Sequence, residues 1–385
     1  MELNPTVPAL ANELAQAVEV ILNPLTPQQN RMDAYTACEQ FKEVSPLCAQ
    51  AGLFLAMDNT LQEKIFIKEN SMKLLLIGVG PAEDTSLSHM KDALSRVIVE
   101  MIKREWPQQW GTLLNELSEA CTKGEAQTEL VLLIFLRLVE DVALLQTIES
   151  NQRRKDIYAA LTTRMHEIFD FFLRLIELHV TSFRSTTAEG NVQKANAHSR
   201  VVQVVLLTLA GFVEWVSINH IMIADGKLLH ILCILLNDFA FQIDAAECLS
   251  QIVNRKGQAK DRKPLLILFS EDAMNYIFRA ANQSVLPGQT VEQYHLFLKK
   301  LIQVLTGLAS QLCALWGKDE TAFQKPQHLC TYFGTLCLLT RHPSLTISHG
   351  AALIWNLLLK HELIGKDPVF LQCIQILLKF SDLKL

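Results

Sequence analysis

Apolar residues recur along this chain at spacings of three, four, seven and eight, between polar or proline-marked breaks. That period predicts helices almost throughout. In MKDALSRVIVEMIKREWPQQWGTLLNEL, residues 90–117, Leu94, Val97, Ile98, Met101 and Ile102 share one helical face, with Lys91, Asp92, Arg96, Lys103 and Arg104 mostly elsewhere on the cylinder. Pro107 ends this helix, because its ring disfavours helical geometry at Trp106 and it has no N–H to donate. The same proline suits the first position of a second helix carrying Trp110, Leu113, Leu114 and Leu117. Trp106, Pro107 and Trp110 are thus read as the structural core of one helical hairpin.

The pattern extends along the chain. Further helices are expected at 5–22, 28–44, from Ser45-Pro46 to about Asp58, 61–78, 127–145, 153–180, 201–216, 227–237, 243–255, 264–281, 291–316, 329–340, 345–361 and 368–380. Residues 80–86, 122–124 and Pro287-Gly288 read as loops, and 185–191 is the most linker-like stretch. No window alternates as a strand, and no heptad is sustained. About sixteen helices in pairs make a unit of about 40–47 residues, the period of HEAT and armadillo repeats. One such hairpin cannot bury its apolar stripe alone, but stacking buries it against the next. The expected fold is all-α, a HEAT-repeat α-solenoid with one helical layer outside and one lining a concave face. Its expected divisions are 1–88, 89–240 and 241–385. The last helix is apolar and followed only by SDLKL, with no polar closing repeat, as in a piece of a longer solenoid.

Composition narrows the class. Of 385 residues 50% are hydrophobic and 19% charged, which fits helices covered by neighbours on two sides. No run reaches the ~18 uncharged apolar residues that span a bilayer, so no membrane insertion is expected, and MELNPTVPAL lacks the features of a secretory signal. A net charge of −5 argues against a wholesale nucleic-acid coat but leaves room for a local basic strip. The nine cysteines form no CxxC pair and read as small buried hydrophobes.

Catalytic motifs do not emerge. The GKD strings at 317–319 and 365–367 lack the rest of a phosphate loop, and His361-Glu362 has Gly365 where a zinc-protease pattern needs its second histidine. No cofactor or metal is expected, and the chain is not read as an enzyme. Basic clusters remain. Arg153-Arg154-Lys155 stands at a helix start, where the helix dipole does not favour cations, and Lys103-Arg104 at a helix end, where it does. Arg255, Lys256, Lys260, Arg262 and Lys263 make a basic inter-helix loop. These are solvated helix ends, or contacts for an acidic partner or a phosphate backbone. With no base-reading pattern, RNA would be recognised through duplex shape and phosphates. Without such a ligand, the chain is a generic α-solenoid scaffold for protein partners.

The string KDALSRVIVEMIKREWPQQW, residues 91–110, resembles the importin-β/exportin superfamily in its N-terminal third, where a basic helix leads into a Trp-Pro corner. RMDAYTACEQFKEVSPLC (31–48), GEAQTELVLLIFLRLVEDV (124–142), LAGFVEWVSINHI (209–221), RKGQAKDRKPLLILF (255–269) and FLKKLIQVLTGLASQLCAL (297–315) extend the likeness over nearly the whole chain. It implies a HEAT-repeat nuclear export receptor that shuttles between nucleus and cytoplasm and meets nuclear pore proteins. Such a receptor binds the small GTPase Ran in its GTP form and loads cargo cooperatively. The cargo implied is double-stranded or hairpin RNA, chiefly precursor microRNAs. Carried onto this sequence, the Ran-facing surface falls on 31–44 and 91–104, with exposed Arg31, Glu39, Lys91 and Arg96. RNA-backbone contact falls on Arg255, Lys256, Arg262 and Lys263. Two departures stand out. Family members are far longer, and between Asp58 and Leu61 the family pattern carries a further helix where only Asn59-Thr60 stand here. Either the first repeat re-pairs, or this chain is a splice or gene-prediction product.

Overall fold

A computed structural model describes residues 6–23, 26–45, 47, 51–52, 55, 61–78, 88–144, 150–285, 292–317 and 325–381. Among these residues the chain is helical with no strand. The helices are α1 (Val7–Leu22), α2 (Gln28–Val44), α3 (Leu61–Ile77), α4 (Ser88–Glu105), α5 (Leu113–Cys121), α6 (Glu125–Val139), α7 (Asn151–Thr163) and α8 (Met165–Ala188). They continue as α9 (Val192–Trp215), α10 (Ile223–Leu235), α11 (Gln242–Val253), α12 (Glu271–Ser284), α13 (Glu292–Leu315), α14 (Leu329–Thr340), α15 (Leu345–Leu359) and α16 (Pro368–Ser381). The helix expected to be lost between Asp58 and Leu61 falls on 56–60, outside the described residues.

The helices form two layers. In one, α4, α6, α9, α11, α13 and α15 each pack on the next. In the other, α10, α12, α14 and α16 follow one another in the same way, and across the layers α5 packs on α6, α8 on α9, α10 on α11, α12 on α13 and α14 on α15. This is the all-α HEAT-repeat solenoid that the periodicity implied. Helices α9, α11 and α13 begin at residues 192, 242 and 292, a repeat slightly longer than expected. The apolar core runs from Leu75 to Phe370. Its densest aromatic knot joins Phe135 of α6, Phe172 of α8 and Phe212 of α9, with ring centroids 5.4–6.4 Å apart. Helices α1 and α2 pack chiefly on each other.

Several expected boundaries move. The stretch 153–180 is two helices that part at Arg164, and 185–188 belongs to α8, leaving only a short turn before Asn191 caps α9 through the Lys194 N–H. Pro264 falls at the start of a 3-10 segment, Lys263–Phe269, and α12 starts after it. Pro107 sits in a turn after α4, joined to Trp106 by a cis peptide bond, and α5 opens only at Leu113. Trp110 therefore lies in the connection. Both Trp106 and Trp110 are buried, whereas Pro107 is only half-buried. Lys68 of α3 holds the corner: its Nζ lies 4.2 Å from the Trp110 ring centre and 2.9 Å from Glu105.

Helices α9 and α13, at 24 residues each, are long and apolar enough to cross a membrane by length and composition alone. Both are packed between neighbours within their layer instead.

Candidate binding surfaces

The buried stripe of α4 is Lys91, Leu94, Ser95, Ile98, Val99 and Ile102, rotated from the expected face so that Val97 is exposed. Lys91 is therefore not a surface residue. It stands three, seven and eleven residues before Leu94, Ile98 and Ile102, on the packed face, and its Nζ lies 2.9 Å from Glu129 of α6. The other Glu129 oxygen accepts from Nε of Arg200 on α9, at 2.7 Å. Lys91 and Glu129 are almost wholly buried, and Arg200 reaches in from the edge. A buried carboxylate without a partner is heavily penalised; two cations compensate this one, and it pins three successive helices of one layer.

The outward side of α4 carries a second network. Arg96 and Arg137 both bind Asp92, at 2.9 and 2.8 Å, and Arg137 also binds Glu140 at 2.8 Å. Burial alone would raise the Asp92 carboxyl, but its hydrogen bonds from Arg137 and Arg96 hold it below the usual carboxylate range. Lys103 binds Glu100 and Asp141; burial works against its charge, and the two hydrogen bonds outweigh it. Arg96 is thus exposed but paired. Glu39 faces Lys42 at 3.8 Å on α2, and the half-buried Arg31 has its Nε enclosed without a hydrogen-bond partner. Helix α4 packs on α3, α6 and α7, whereas α2 packs on α1, so the structure does not bring Arg31 and Glu39 onto one packed face with Arg96.

Two arginines beside helix ends have a further use. Arg153 donates to the backbone oxygens of Ile102, Lys103 and Trp106 at the C-terminal end of α4, and to Gln108. Its position at a helix start is resolved by the neighbouring helix end, where carbonyls lack partners and the dipole favours cations. Arg255 repeats the device, donating to the Val213 and Val216 oxygens at the end of α9. As a solvated phosphate contact Arg255 is therefore corrected: its guanidinium is half-buried and engaged with backbone. Burial lowers its pKa, with Asp261 opposing.

Three cations of this loop share one cleft of about 370 Å³. Arg255, Lys256 and Arg262 line it, together with Tyr158 and Met165 from the α7–α8 junction and Trp215, Val216, Ile218 and His220 from the end of α9. Lys263 is exposed but lies outside this lining. Burial and His166 lower the His220 pKa, favouring a neutral ring. The sequence reading missed this aromatic wall because Tyr158, Trp215 and Lys256 are remote in the chain and each looks ordinary alone. It also missed Glu129 and Arg200, for which a charge in an apolar helical run was the available signal. Among the described residues no group of histidines, cysteines and carboxylates is arranged to hold a metal.

Comparison with known proteins agrees with this architecture. Residues 87–249 match the family described as Exportin 1-like protein. Human Exportin-5 is 40% identical over 97% of the chain, which covers 33% of that protein. Exportin-5 of Dictyostelium discoideum is 26% identical over 94% of the chain, again covering 33% of the relative. Protein HASTY 1 of Arabidopsis thaliana is 25% identical over 43% of the chain and 14% of its own length. The chain spans about a third of the length of the exportin relatives it matches. With a two-layered helical stack and a 40% match to an exportin along nearly all its residues, the chain is similar to part of an exportin.

Proposed function

We propose that this chain is part of a nuclear export receptor that engages Ran in its GTP form and carries structured RNA, of the precursor-microRNA hairpin type, from nucleus to cytoplasm. The observation that carries this reading is the match to Exportin-5 over 97% of the chain. The solenoid supplies extended surfaces rather than a catalytic pocket, as a carrier requires. Arg31, Glu39 and Arg96 are proposed for the Ran-facing surface. Lys256, Arg262 and Lys263 are proposed for the RNA backbone, where charge neutralisation makes affinity fall with salt. Ran and cargo are coupled reciprocally: if Ran·GTP tightens RNA binding by some factor, RNA tightens Ran·GTP by the same factor.

The test is capture of Ran loaded with GTP or GDP on the immobilised chain, with and without a hairpin RNA. Selective retention of the GTP form, strengthened by RNA, is expected. Retention without nucleotide preference would identify a general solenoid scaffold instead.

A further inference from the structure

Cys233 and Cys248 are wholly buried, as expected of cysteines used as small hydrophobes, but three others gather at the seam where α14 packs on α16. Cys330 and Cys337 stand on one stripe of α14, two turns apart, with Phe333 between them. Cys373 follows Phe370 by one turn on α16. The rings of Phe333 and Phe370 meet across the seam with centres 5.3 Å apart and set its register. Helix α15 runs back between the two helices, so α14 and α16 point the same way. Cys337 then lies about 6 Å beyond the aromatic contact along the axis and Cys373 about 4.5 Å beyond it, nearly level with each other. Cys330 lies on the other side of Phe333, about 9 Å from the level of Cys373. A disulfide joins Cα atoms about 4.4–6.8 Å apart, so Cys337 is the partner that Cys373 can reach. Both are half-buried, whereas Cys330 is exposed. Burial pushes the Cys337 thiol up to about 11, with Cys373 adding and Arg341 opposing. Burial also raises Cys373, with Cys330 adding.

We propose that Cys337 and Cys373 are a modification site, which small-molecule disulfides oxidise to an intramolecular disulfide joining α14 to α16. The exchange has two steps. The Cys373 thiol gives its proton to water, and its sulfur attacks one sulfur of the small disulfide. The S–S bond of the reagent breaks, and the leaving thiolate takes its electron pair and a proton. The Cys337 sulfur, deprotonated in turn, attacks the Cys373 sulfur of the mixed disulfide, and the second small thiol leaves in the same way. Two cysteine thiols are oxidised and one small disulfide is reduced to two thiols. Only the thiolate attacks, and both groups are overwhelmingly thiols near pH 7, so the rate climbs about tenfold per pH unit above it. The bridge closes the stretch 337–373, which contains α15, and adds a covalent tie to a seam otherwise held by side-chain packing.

The test uses the full chain, reduced, freed of reductant and incubated with oxidised glutathione at pH 7.5 and 8.5. Free thiols are then alkylated, and the digest is read by mass spectrometry, with any bridge located by fragmentation. A Cys337–Cys373 bridge is expected, formed about ten times faster at the higher pH and reversed by dithiothreitol. The oxidised chain should melt several degrees above the reduced one, because the bridge restricts the unfolded chain. Cys330→Ser should leave the bridge intact. Cys337→Ala should stop the reaction at a glutathione adduct on Cys373, and its melting curve checks the fold. The parent alone decides the matter should that variant unfold. Full alkylation of Cys337 and Cys373 after oxidation would overturn the inference. So would a glutathione adduct confined to Cys330, or a bridge from Cys373 to Cys330 instead of Cys337.

Discussion

Gly307 of α13 lies so near Val253 of α11 that a Cβ on the glycine would overlap Val253 Cγ2 and stand 3.1 Å from Asn254 Oδ1. The two helices are successive members of one layer, and the missing side chain sets their approach. Alanine here improves helix propensity by about 1 kcal/mol, but forcing a methyl group into a packed contact costs about 1–3 kcal/mol, and more where backbone must shift. Gly307→Ala is expected to lower stability by about 1–2 kcal/mol in denaturant unfolding. Adding Val253→Ala should recover part of the loss, so the pair would be strongly non-additive. Unchanged stability of the single variant would show that α11 and α13 separate freely.

Lys91→Met leaves Glu129 buried with Arg200 as its remaining cation. Removing one member of a buried ion pair typically costs about 3–5 kcal/mol, and the second cation reduces this, so a loss of about 2–3 kcal/mol is expected. Lys91→Met with Glu129→Leu removes the charge that needs neutralising and should restore most of the stability. If Lys91→Met melted with the parent, the pair would not be the buried clamp described here.

His179 makes stability pH-dependent. Its Nδ1 lies 3.0 Å from Nδ1 of His198, a distance that requires one ring to donate and the other to accept, and His198 lies 3.6 Å from Glu125. Burial, reinforced by His198 and opposed by Glu125, lowers the His179 pKa to about 4. Because the folded value is depressed below the unfolded one, about 6.5, the contribution is fully present above pH 6.5. It declines as the pH falls toward 4. The contribution is about 2–3 kcal/mol. Chemical denaturation at pH 7.5 and 4.5 should show this loss in the parent and a smaller one in His179→Gln; equal losses would exclude His179 as the source.

Ala224 adopts φ 50° and Asp225 φ 56°, before Gly226 at φ 78°. The left-handed region costs a residue with a Cβ about 1 kcal/mol, and glycine nothing comparable. Ala224→Gly is expected to gain up to about 1 kcal/mol despite the greater freedom of glycine in the unfolded chain. A fall in melting temperature would mean that the alanine methyl is held by packing that outweighs the strain.

Helix type and layering were legible because the apolar period is strong, and Trp106 and Trp110 lie buried as their surroundings implied. The break at Arg164 was not, since Ile157, Leu161, Met165, Ile168 and Phe172 continue the period across it with no proline or glycine to mark it. Lys91 was misplaced because charge was weighed above phase: its position repeats that of Ile98, but its partner Glu129 lies in another helix. Arg255 was misread because it binds backbone carbonyls, which have no signature in a sequence. The cleft escaped notice because three segments must converge before its aromatic and basic residues meet.

The carboxylate of Glu129, shared between α4 and α9 through Lys91 and Arg200, bears on elasticity. A stack of helices joined by apolar contact can slide by small steps at every joint, which lets such a superhelix wind and unwind. Sliding at the α4–α6–α9 joint would pull a charge from its counter-charge in a medium that stabilises neither alone. This segment then behaves as a stiff vertebra in a spring, and changes of pitch are taken up by the joints on either side of it.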